Sequence, residues 1–199
     1  MKLKLKVSKR NPNKVYLYLG GKYFSLINKN LLEKLGLESK SEITEDELNI
    51  LLNKISEEKA KNYALRLLAF RPRSKKELEE RLTNKGFTKE TIDRVLQNLQ
   101  AGELLSDYDY ACSIVNHYLN FRLKGKKKII YELRRRGISD DVITQVTKEI
   151  SNEDEYQALK KLLEKKNLYK IKDLKKLKAR LLRSGYNLDV INKVLSEAQ

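Results

Sequence analysis

The sequence is poor in the residues that build cross-links, metal centres and membrane spans. Its single cysteine, Cys112, excludes an intramolecular disulfide, and its single histidine, His117, excludes a metal site built from several histidines. No apolar run approaches the roughly 18 residues that a membrane-spanning helix needs. The alternating lysines and leucines at the start also differ from the apolar region of a signal peptide. We therefore expect a cytoplasmic protein without a membrane segment.

Motifs for catalysis are equally scarce. Gly20-Gly21 lacks the pattern of a phosphate-binding loop, and the chain contains neither a nucleophile elbow nor a Walker motif. Asp107 and Asp109 stand at a predicted helix start, where carboxylates favour the helix dipole without any bound cation. We expect Cys112 to be a small core residue and His117 to be a packed or surface side chain. The sequence therefore predicts no enzyme, no catalytic residues, no cofactor and no metal.

Charge and helical composition are what the chain has in quantity. Charged residues make up 35% of it and apolar residues 40%, which is enough for small cores beneath a heavily charged surface. Two prolines and no tryptophan also suit an all-α body. The formal net charge is +16 and is spread along the whole chain. A field of that sign attracts nucleic acid, anionic lipid or a protein with an acidic groove.

A pattern with a period of roughly 50 residues occurs three times. Its marker is a glycine, at Gly86, Gly137 and Gly185. Apolar residues recur at fixed distances from these glycines: Leu82, Leu133 and Leu181 four positions before; Leu78, Ile129 and Leu177 eight before; Phe87, Ile138 and Tyr186 one after; Ile92, Ile143 and Ile191 six after; Val95, Val146 and Val194 nine after. The agreement predicts tandem repeats of three short helices, stacked into an elongated, curved body.

A different element precedes the repeats. Alternation with a period of two predicts strands over Lys2–Val7, Val15–Leu19 and Lys22–Ile27, with Gly20-Gly21 as a hairpin turn. The lysines on one face of the first strand either protect an exposed sheet edge or form a binding strand, and we favour edge protection. A short helix is expected from Asn28 to Gly36, and the capping box Thr44–Glu47 opens another.

The predicted fold is mainly α, with three tandem three-helix repeats behind a small antiparallel β-hairpin or sheet. The predicted domains are the β-hairpin with its helices over 1–56, repeat one over 57–105, repeat two over 106–150 and repeat three over 151–199. In repeat one we expect a first helix at Lys59–Phe70, a second capped by Ser74 with Glu77 completing a capping box, and a third capped by Thr88. In repeat two we expect a first helix capped by Ser106, a second at Lys126–Arg136 and a third at Asp140–Ile150. In repeat three we expect a first helix that contains Tyr156, a second at Ile171–Ser184 and a third at Leu188–Ala198.

The second helices of repeats two and three carry a basic face. At 100° per residue, the basic side chains of repeat two point away from Ile129, Ile130 and Leu133, whereas acidic residues occupy that face in repeat one. A solvated surface is the alternative, but the nearly single sign and an interleaved tyrosine favour contact with phosphates or an acidic groove. The candidate partner-binding or DNA-binding residues are Lys124, Lys126, Lys127, Lys128, Tyr131, Arg134, Arg135, Lys175, Lys176, Lys178 and Arg183.

Three stretches are specific in combination. They are Arg71-x-x-Ser74-x-x-Glu77-Leu78-x-x-x-Leu82-x-x-Lys85-Gly86, Leu105-Ser-Asp107-Tyr108-Asp-Tyr110-Ala111, and Lys124-Gly125-Lys-Lys-Lys-Ile129-Ile-x-Glu132-Leu133-x-x-x-Gly137-Ile138. In this order and spacing they resemble the RecX family, the regulators of the RecA recombinase. The resemblance covers residues 59–199, and the third repeat is its least diagnostic part. The N-terminal sheet resembles an extension found on longer members.

The resemblance implies a cytoplasmic bacterial regulator that acts in DNA repair, DNA recombination and the SOS response. Such a protein lodges in the groove of the RecA filament on single-stranded DNA and mostly inhibits ATP hydrolysis, strand exchange and coprotease activity. No catalytic residues transfer, because the family has none. We expect a monomer that makes contact chiefly through repeats two and three. The residues alone leave two alternatives open: a general nucleic-acid-binding helical module acting through phosphates, and a scaffold for an unrelated acidic partner.

Overall fold

The computed structural model describes residues 1–168 and 173–197. The chain forms two compact units: the N-terminal unit comprises Met1–Arg66 and Leu82–Val95, and the C-terminal unit comprises Leu67–Arg81 and Leu96–Gln199. The strands are β1 (Leu3–Val7), β2 (Lys14–Leu19) and β3 (Lys22–Asn28). The helices are α1 (Lys29–Lys34), α2 (Glu45–Phe70), α3 (Lys75–Asn84), α4 (Lys89–Ala101), α5 (Asp107–His117), α6 (Lys126–Arg135), α7 (Asp140–Lys148), α8 (Asn152–Lys165), α9 (Leu174–Arg183) and α10 (Leu188–Glu197), with a π-helical turn at Tyr118–Arg122. A mainly α fold with a small N-terminal sheet is thus confirmed.

The three strands form one antiparallel sheet in the order β1-β2-β3. Gly20 and Gly21 both adopt positive φ, at 54° and 81°, as the predicted two-residue hairpin turn requires. One face of the sheet buries apolar side chains in a core shared with α1 and the first half of α2; its members include Leu3, Val15, Leu17, Ile27, Leu32, Leu51 and Ile55. The sheet therefore has one buried and one solvent-facing side, as its alternating sequence predicts.

Helix α2 runs without interruption through the predicted boundary near Ser56. The capping box at its start is confirmed: Glu47 N–H donates to Thr44 Oγ1 at 3.3 Å, and Thr44 N–H donates to the Glu47 carboxylate at 3.0 Å. No glycine or proline interrupts the following 26 residues, so nothing in the local sequence ends the helix before Phe70. The limits of the four predicted domains stay a prediction.

Each marker glycine ends a second helix in the same way. In repeat two, Gly137 N–H donates to the Arg134 carbonyl at 2.9 Å and Ile138 N–H donates to the Leu133 carbonyl at 3.2 Å. This Schellman geometry needs a left-handed residue, and Gly137 has a φ of 77°. The equivalent bonds recur in the other repeats, as Phe87 to Leu82 at 3.3 Å and Tyr186 to Leu181 at 3.4 Å. The three marker glycines therefore mark the same type of helix C-terminus in each repeat.

Buried cores follow the same register. Leu82, Leu133 and Leu181, the residues four positions before the glycines, are completely buried. Repeat two encloses a cluster built from α5, α6 and α7, and a second cluster joins α8, α9 and α10 with Leu123. The predicted start at Ile171 and end at Ala198 lie outside the described residues; the described parts of those helices are α9 and α10.

The structure adds detail to the roles predicted for three side chains, or differs from them. Cys112 is only half-buried, at the margin of the repeat-two core, because it lies on the side of α5 that is partly open to solvent. His117 is exposed, and its ring stacks on Phe121 with 5.8 Å between centroids. The carboxylate of Glu77 is bound by Arg71 and Arg73, a role that a capping box does not include. Arg73 is buried and therefore needs a carboxylate partner.

Candidate functional site

The second helices of the C-terminal unit meet end to end. Ser74, which precedes α3, donates its hydroxyl proton to the Arg136 carbonyl at the end of α6, at 2.9 Å. At the other end of α6, Gly125 N–H donates to the Ser184 carbonyl at 3.0 Å and Lys127 N–H donates to the Gly185 carbonyl at 3.1 Å. The carbonyl end of the second helix of repeats two and three thus meets the amide end of the second helix of the repeat before it.

Glycine makes the junction between α9 and α6 possible. A β-carbon on Gly125 would overlap the carbonyl group of Gly185, and one on Gly185 would overlap the backbone of Lys128. At the other junction, a β-carbon on Gly137 would meet only the side chain of Lys76. The α9–α6 contact is therefore a backbone-to-backbone contact, with little freedom to shift.

Carboxylates tie each repeat to the one before it. Asp107 Oδ1 accepts a hydrogen bond from Lys75 N–H at the start of α3, at 2.8 Å. Glu155 Oε1 accepts one from Lys126 N–H at the start of α6, at 2.9 Å. Asp107 and Glu155 each stand 30 positions before their own marker glycine. The sequence prediction relates Asp107 only to the dipole of its own helix. In the structure, Asp107 also accepts a hydrogen bond from the first amide group of α3.

Glu155 is the more deeply buried of these two carboxylates. Burial raises its pKa, although the Lys126 amide and the side chain of Asn187, which donates to Oε2 at 2.9 Å, act in the opposite direction. A raised pKa means that folding favours proton uptake by this group. Its contribution to stability is therefore complete below the ordinary glutamate pKa and declines as pH rises toward the raised value.

The predicted face of α6 is exposed and carries alternating charge and aromatic surface. Lys127, Tyr131, Arg134 and Arg135 all reach solvent, and the Lys128 ammonium lies over the Tyr131 ring at 4.2 Å from its centroid. A cation against an exposed ring leaves the other face of the tyrosine available for contact. The structure therefore brings these five predicted residues together on one helix.

Acidic neighbours partly neutralise this face. Arg134 pairs with Asp140 at 2.9 Å, and Glu132 pairs with Arg135 at 3.0 Å and Lys128 at 3.5 Å. Burial opposes ionisation of Glu132, but the hydrogen bonds and charges of Arg135 and Lys128 outweigh it and lower its pKa. The Arg134–Asp140 pair is exposed, and such pairs contribute about 0–1 kcal/mol, so an incoming anion can compete for Arg134.

Several positive charges surround Lys124. Burial lowers the pKa of its ammonium group, and the positive charges of four neighbours lower it further. We call this group the Lys124 cluster: Arg122, Lys124, Lys128, Lys166 and Arg180. Arg122, Lys166 and Arg180 were not predicted, because they come from separate segments that only the folded chain brings together. A lysine held below its ordinary pKa by like charges is a site at which bound anions are favoured.

The predicted residues of repeat three are distributed more loosely. Lys175, Lys176 and Arg183 are exposed on α9, and Lys178 is half-buried. Lys176 pairs with Asp173 at 3.5 Å, and Arg183 donates to the Ala179 carbonyl at 3.3 Å. From α9 it is Arg180, rather than any of these four, that belongs to the Lys124 cluster. Lys126 is half-buried beside Glu155, so its backbone has a structural role at the junction.

Known proteins share this architecture and sequence. The family model described as RecX, first three-helix domain, matches residues 60–99, and that of the second three-helix domain matches residues 106–146. A Clostridium perfringens (strain SM101 / Type A) protein named Regulatory protein RecX is 34% identical over 198 residues, which cover 96% of this chain and 92% of that protein. The chain belongs to the RecX family. A Bacillus subtilis (strain 168) protein of the same name is 30% identical, over 98% of this chain and 76% of that protein.

Solved RecX structures have the same fold. A crystal structure of a regulatory protein RecX superposes with a TM-score of 0.81 at 23% identity, covering 98% of both chains. The crystal structure of RecX from Lactobacillus salivarius has a TM-score of 0.64 at 25% identity and covers 73% of this chain and 97% of that one. The RecX relatives named above are called regulatory proteins. Over residues 1–168 and 173–197, no helix is both long and apolar enough to span a membrane, and no cluster of three or more metal-binding side chains occurs.

Replacing Lys124 with methionine should stabilise this RecX-family chain and weaken its affinity for anions. Methionine keeps the apolar stem but removes a charge that burial and four like charges oppose, so the melting temperature should rise. Thermal melts at neutral pH, in low salt with and without inorganic polyphosphate, measure both effects. The matched control is Lys175→Met, at an exposed position outside the Lys124 cluster. A lower melting temperature for Lys124→Met alone would contradict the repulsion within the cluster.

Proposed function

We propose that this protein regulates the RecA recombinase by binding in the helical groove of the RecA filament on single-stranded DNA. Binding there reduces ATP hydrolysis, strand exchange and coprotease activity during DNA repair, recombination and the SOS response. The observation that carries the proposal is the joint occurrence of RecX-family sequence and an exposed cationic face on α6, beside the Lys124 cluster. The protein acts in the cytoplasm as a monomer built of three three-helix repeats.

The physical logic is thermodynamic linkage. A ligand changes the behaviour of a filament only if it binds one filament state more tightly than another. A cationic face can make contact with both the phosphates and the acidic protein surface of a groove, so its affinity depends on how the groove presents them. The side chains in this proposal are those predicted on α6, together with Lys124 and the cluster around it.

A second candidate is a nucleic-acid-binding helical module that acts without RecA. The Lys124 cluster favours it, because five gathered cations can bind phosphates of any sequence. In that case the affinity for DNA alone should account for every effect on the filament. The two candidates differ in whether the protein binds the filament more tightly than it binds bare single-stranded DNA.

Reversing two charges on α6 tests both candidates. The variant Lys127→Glu with Arg134→Glu should raise the concentration needed for half-inhibition of filament ATPase by more than about tenfold, because like charges then face the groove. The control is Lys59→Glu with Lys61→Glu, which makes the same change of net charge at exposed positions on α2. ATPase rates and co-sedimentation with filaments are compared with anisotropy on single-stranded DNA alone.

The outcomes separate the candidates. Lost inhibition with unchanged affinity for bare DNA supports the filament regulator. Parallel loss of both, with equal affinities of the wild-type protein for filament and DNA, supports the general module. Wild-type protein without any effect on RecA ATPase at saturating concentration would refute the regulatory proposal.

A further inference from the structure

The outer face of the N-terminal sheet is aromatic and basic. In the antiparallel register Lys4 lies opposite Tyr18, and Lys6 lies opposite Tyr16. On the other side of β2, Tyr18 lies opposite Tyr23. Lys4, Lys6, Tyr16 and Tyr18 alternate with residues of the buried face, and Tyr23 is paired with Tyr18, so all five project to the solvent side. We call this surface the tyrosine face.

The tyrosine rings of this face form a connected group. Tyr23 makes edge-on contacts with Tyr16, at 6.2 Å between centroids, and with Tyr18, at 5.9 Å. Tyr23 is 58% exposed, and Phe24 beside it is 45% exposed. A register shift at Leu17 and Tyr18 makes Phe24 the extra residue of the β3 strand. Large aromatic side chains left exposed next to one another indicate a contact surface, since a small domain normally buries them.

The charge around these rings has one sign. Residues 1–32 contain seven lysines, one arginine and no aspartate or glutamate. Among the described residues, no carboxylate lies within 4.0 Å of the ammonium groups of Lys4, Lys6 or Lys22. Elsewhere in the N-terminal unit the cations do find partners, such as Lys29 with Glu33 and Lys54 with Glu57. The described lysines of the tyrosine face therefore have no ion-pair partner that would compete with a bound anion.

Protection of the sheet edge, the interpretation that the sequence favours, accounts for lysines on β1 but not for the tyrosines that lie opposite them. At the start of β1, the outer edge is already occupied: Leu3 N–H donates to the Ser41 carbonyl at 2.8 Å, and Ile43 N–H donates to the Met1 carbonyl at 2.9 Å. Lys4 and Lys6 belong to the edge strand β1, where they lie directly across from tyrosines of β2. The register places lysines opposite tyrosines, which is a pairing that edge protection alone does not need.

We propose that the tyrosine face binds single-stranded nucleic acid. Unpaired bases would stack on the exposed ring of Tyr23 and on the half-buried ring of Tyr16, while Lys4, Lys6 and Lys22 hold the flanking phosphates. Stacking accepts every base, because every base has a π face, so the interaction is tolerant of sequence. A duplex keeps its bases inside the helix and offers these rings only its backbone, which makes single strands the preferred ligand. This site is separate from α6 and does not depend on any action on RecA.

Binding of a labelled oligothymidylate of about 12 nucleotides, followed by fluorescence anisotropy, tests the proposal. The measurements use the full chain carrying Lys127→Glu and Arg134→Glu, so that α6 contributes little. Adding Tyr16→Ala and Tyr23→Ala should weaken binding by roughly tenfold or more, whereas Tyr16→Phe with Tyr23→Phe should keep it within about twofold, since phenyl rings stack as well. Tyr108→Ala, at an exposed tyrosine on α5, is the control and should bind normally.

Charge and strand number give two further readouts. Lys4→Glu with Lys6→Glu should reduce the slope of log affinity against log salt by about 1.4, which corresponds to two single-strand phosphates. A duplex of the same length should bind more weakly and be insensitive to the alanine changes. Circular dichroism checks that each variant is folded. The proposal is overturned if the folded alanine variant binds oligothymidylate like its parent, if duplex and single strand lose affinity equally, or if only anionic vesicles or acidic protein bind this face.

Discussion

Replacing Gly125 with alanine should lower the free energy of unfolding by about 3 kcal/mol, the upper part of the range for overpacked sites. The φ of Gly125 is −76°, a value that alanine adopts without strain, so the conformation of the backbone is not the reason. The reason is space: an added methyl group would overlap the Gly185 carbonyl. Relief would require separating α6 from the end of α9, which breaks the hydrogen bonds at 3.0 Å and 3.1 Å.

Urea unfolding followed by circular dichroism measures this effect, and Gly86→Ala is the informative control. Gly86 has a φ of 88°, but nothing lies within 4 Å of the position that a β-carbon would occupy. Its replacement should therefore cost only the left-handed conformation, roughly 1–2 kcal/mol. If Gly125→Ala proved no more damaging than Gly86→Ala, the close contact between the two backbones would be refuted.

Leu133→Ala should destabilise the protein by about 2–5 kcal/mol, the range for a leucine removed from a packed core. Leu133 is completely buried in the cluster that joins α5, α6 and α7. Methyl groups lost there leave a cavity, because the neighbouring Ile129 and Ile143 are held by their own helices. Thermal and urea unfolding give the size of the loss.

Leu104→Ala provides the comparison for Leu133→Ala. Leu104 is 54% exposed, so its removal should change stability by less than about 0.5 kcal/mol. Equal melting temperatures for wild type and Leu133→Ala would mean that the position four before the glycine is not a core position. The assignment of Leu82 and Leu181 to the same role would then fail as well.

Local signals account for the part of the fold that the sequence predicts well. The hairpin at Gly20-Gly21, the capping box at Thr44 and the helix ends at the three marker glycines each depend on residues within a few positions of one another. Their geometry follows from φ preferences and side-chain hydrogen bonds, which neighbouring residues determine. The limit near Ser56 was harder to place, because a junction inside a continuous helix has no glycine or proline to mark it.

The candidate site depends on contacts between distant residues. Periodicity correctly predicts that Lys127, Tyr131 and Arg134 share the exposed face of α6. It does not predict that Lys166 and Arg180 lie near Lys124, since Lys166 follows α8 and Arg180 belongs to α9. The ties made by Asp107 and Glu155 had a usable signal, a carboxylate 30 positions before the glycine in two repeats. The spacing alone does not identify the hydrogen-bond donors, which are the Lys75 and Lys126 amide groups of the preceding repeats.

The carboxylate ties have a consequence for biosynthesis. A ribosome releases the chain from its N-terminus, so α6 emerges well before Glu155 and the turn at Gly185, which satisfy its first amide groups. At about 5–20 residues per second, that delay is roughly 3–12 s. Until then the first amide groups of α6 bond to water, and the junction between repeats two and three closes only after repeat three has been synthesised. Helix α9 needs no such wait, because its own Asp173 accepts from Lys176 N–H at 3.1 Å.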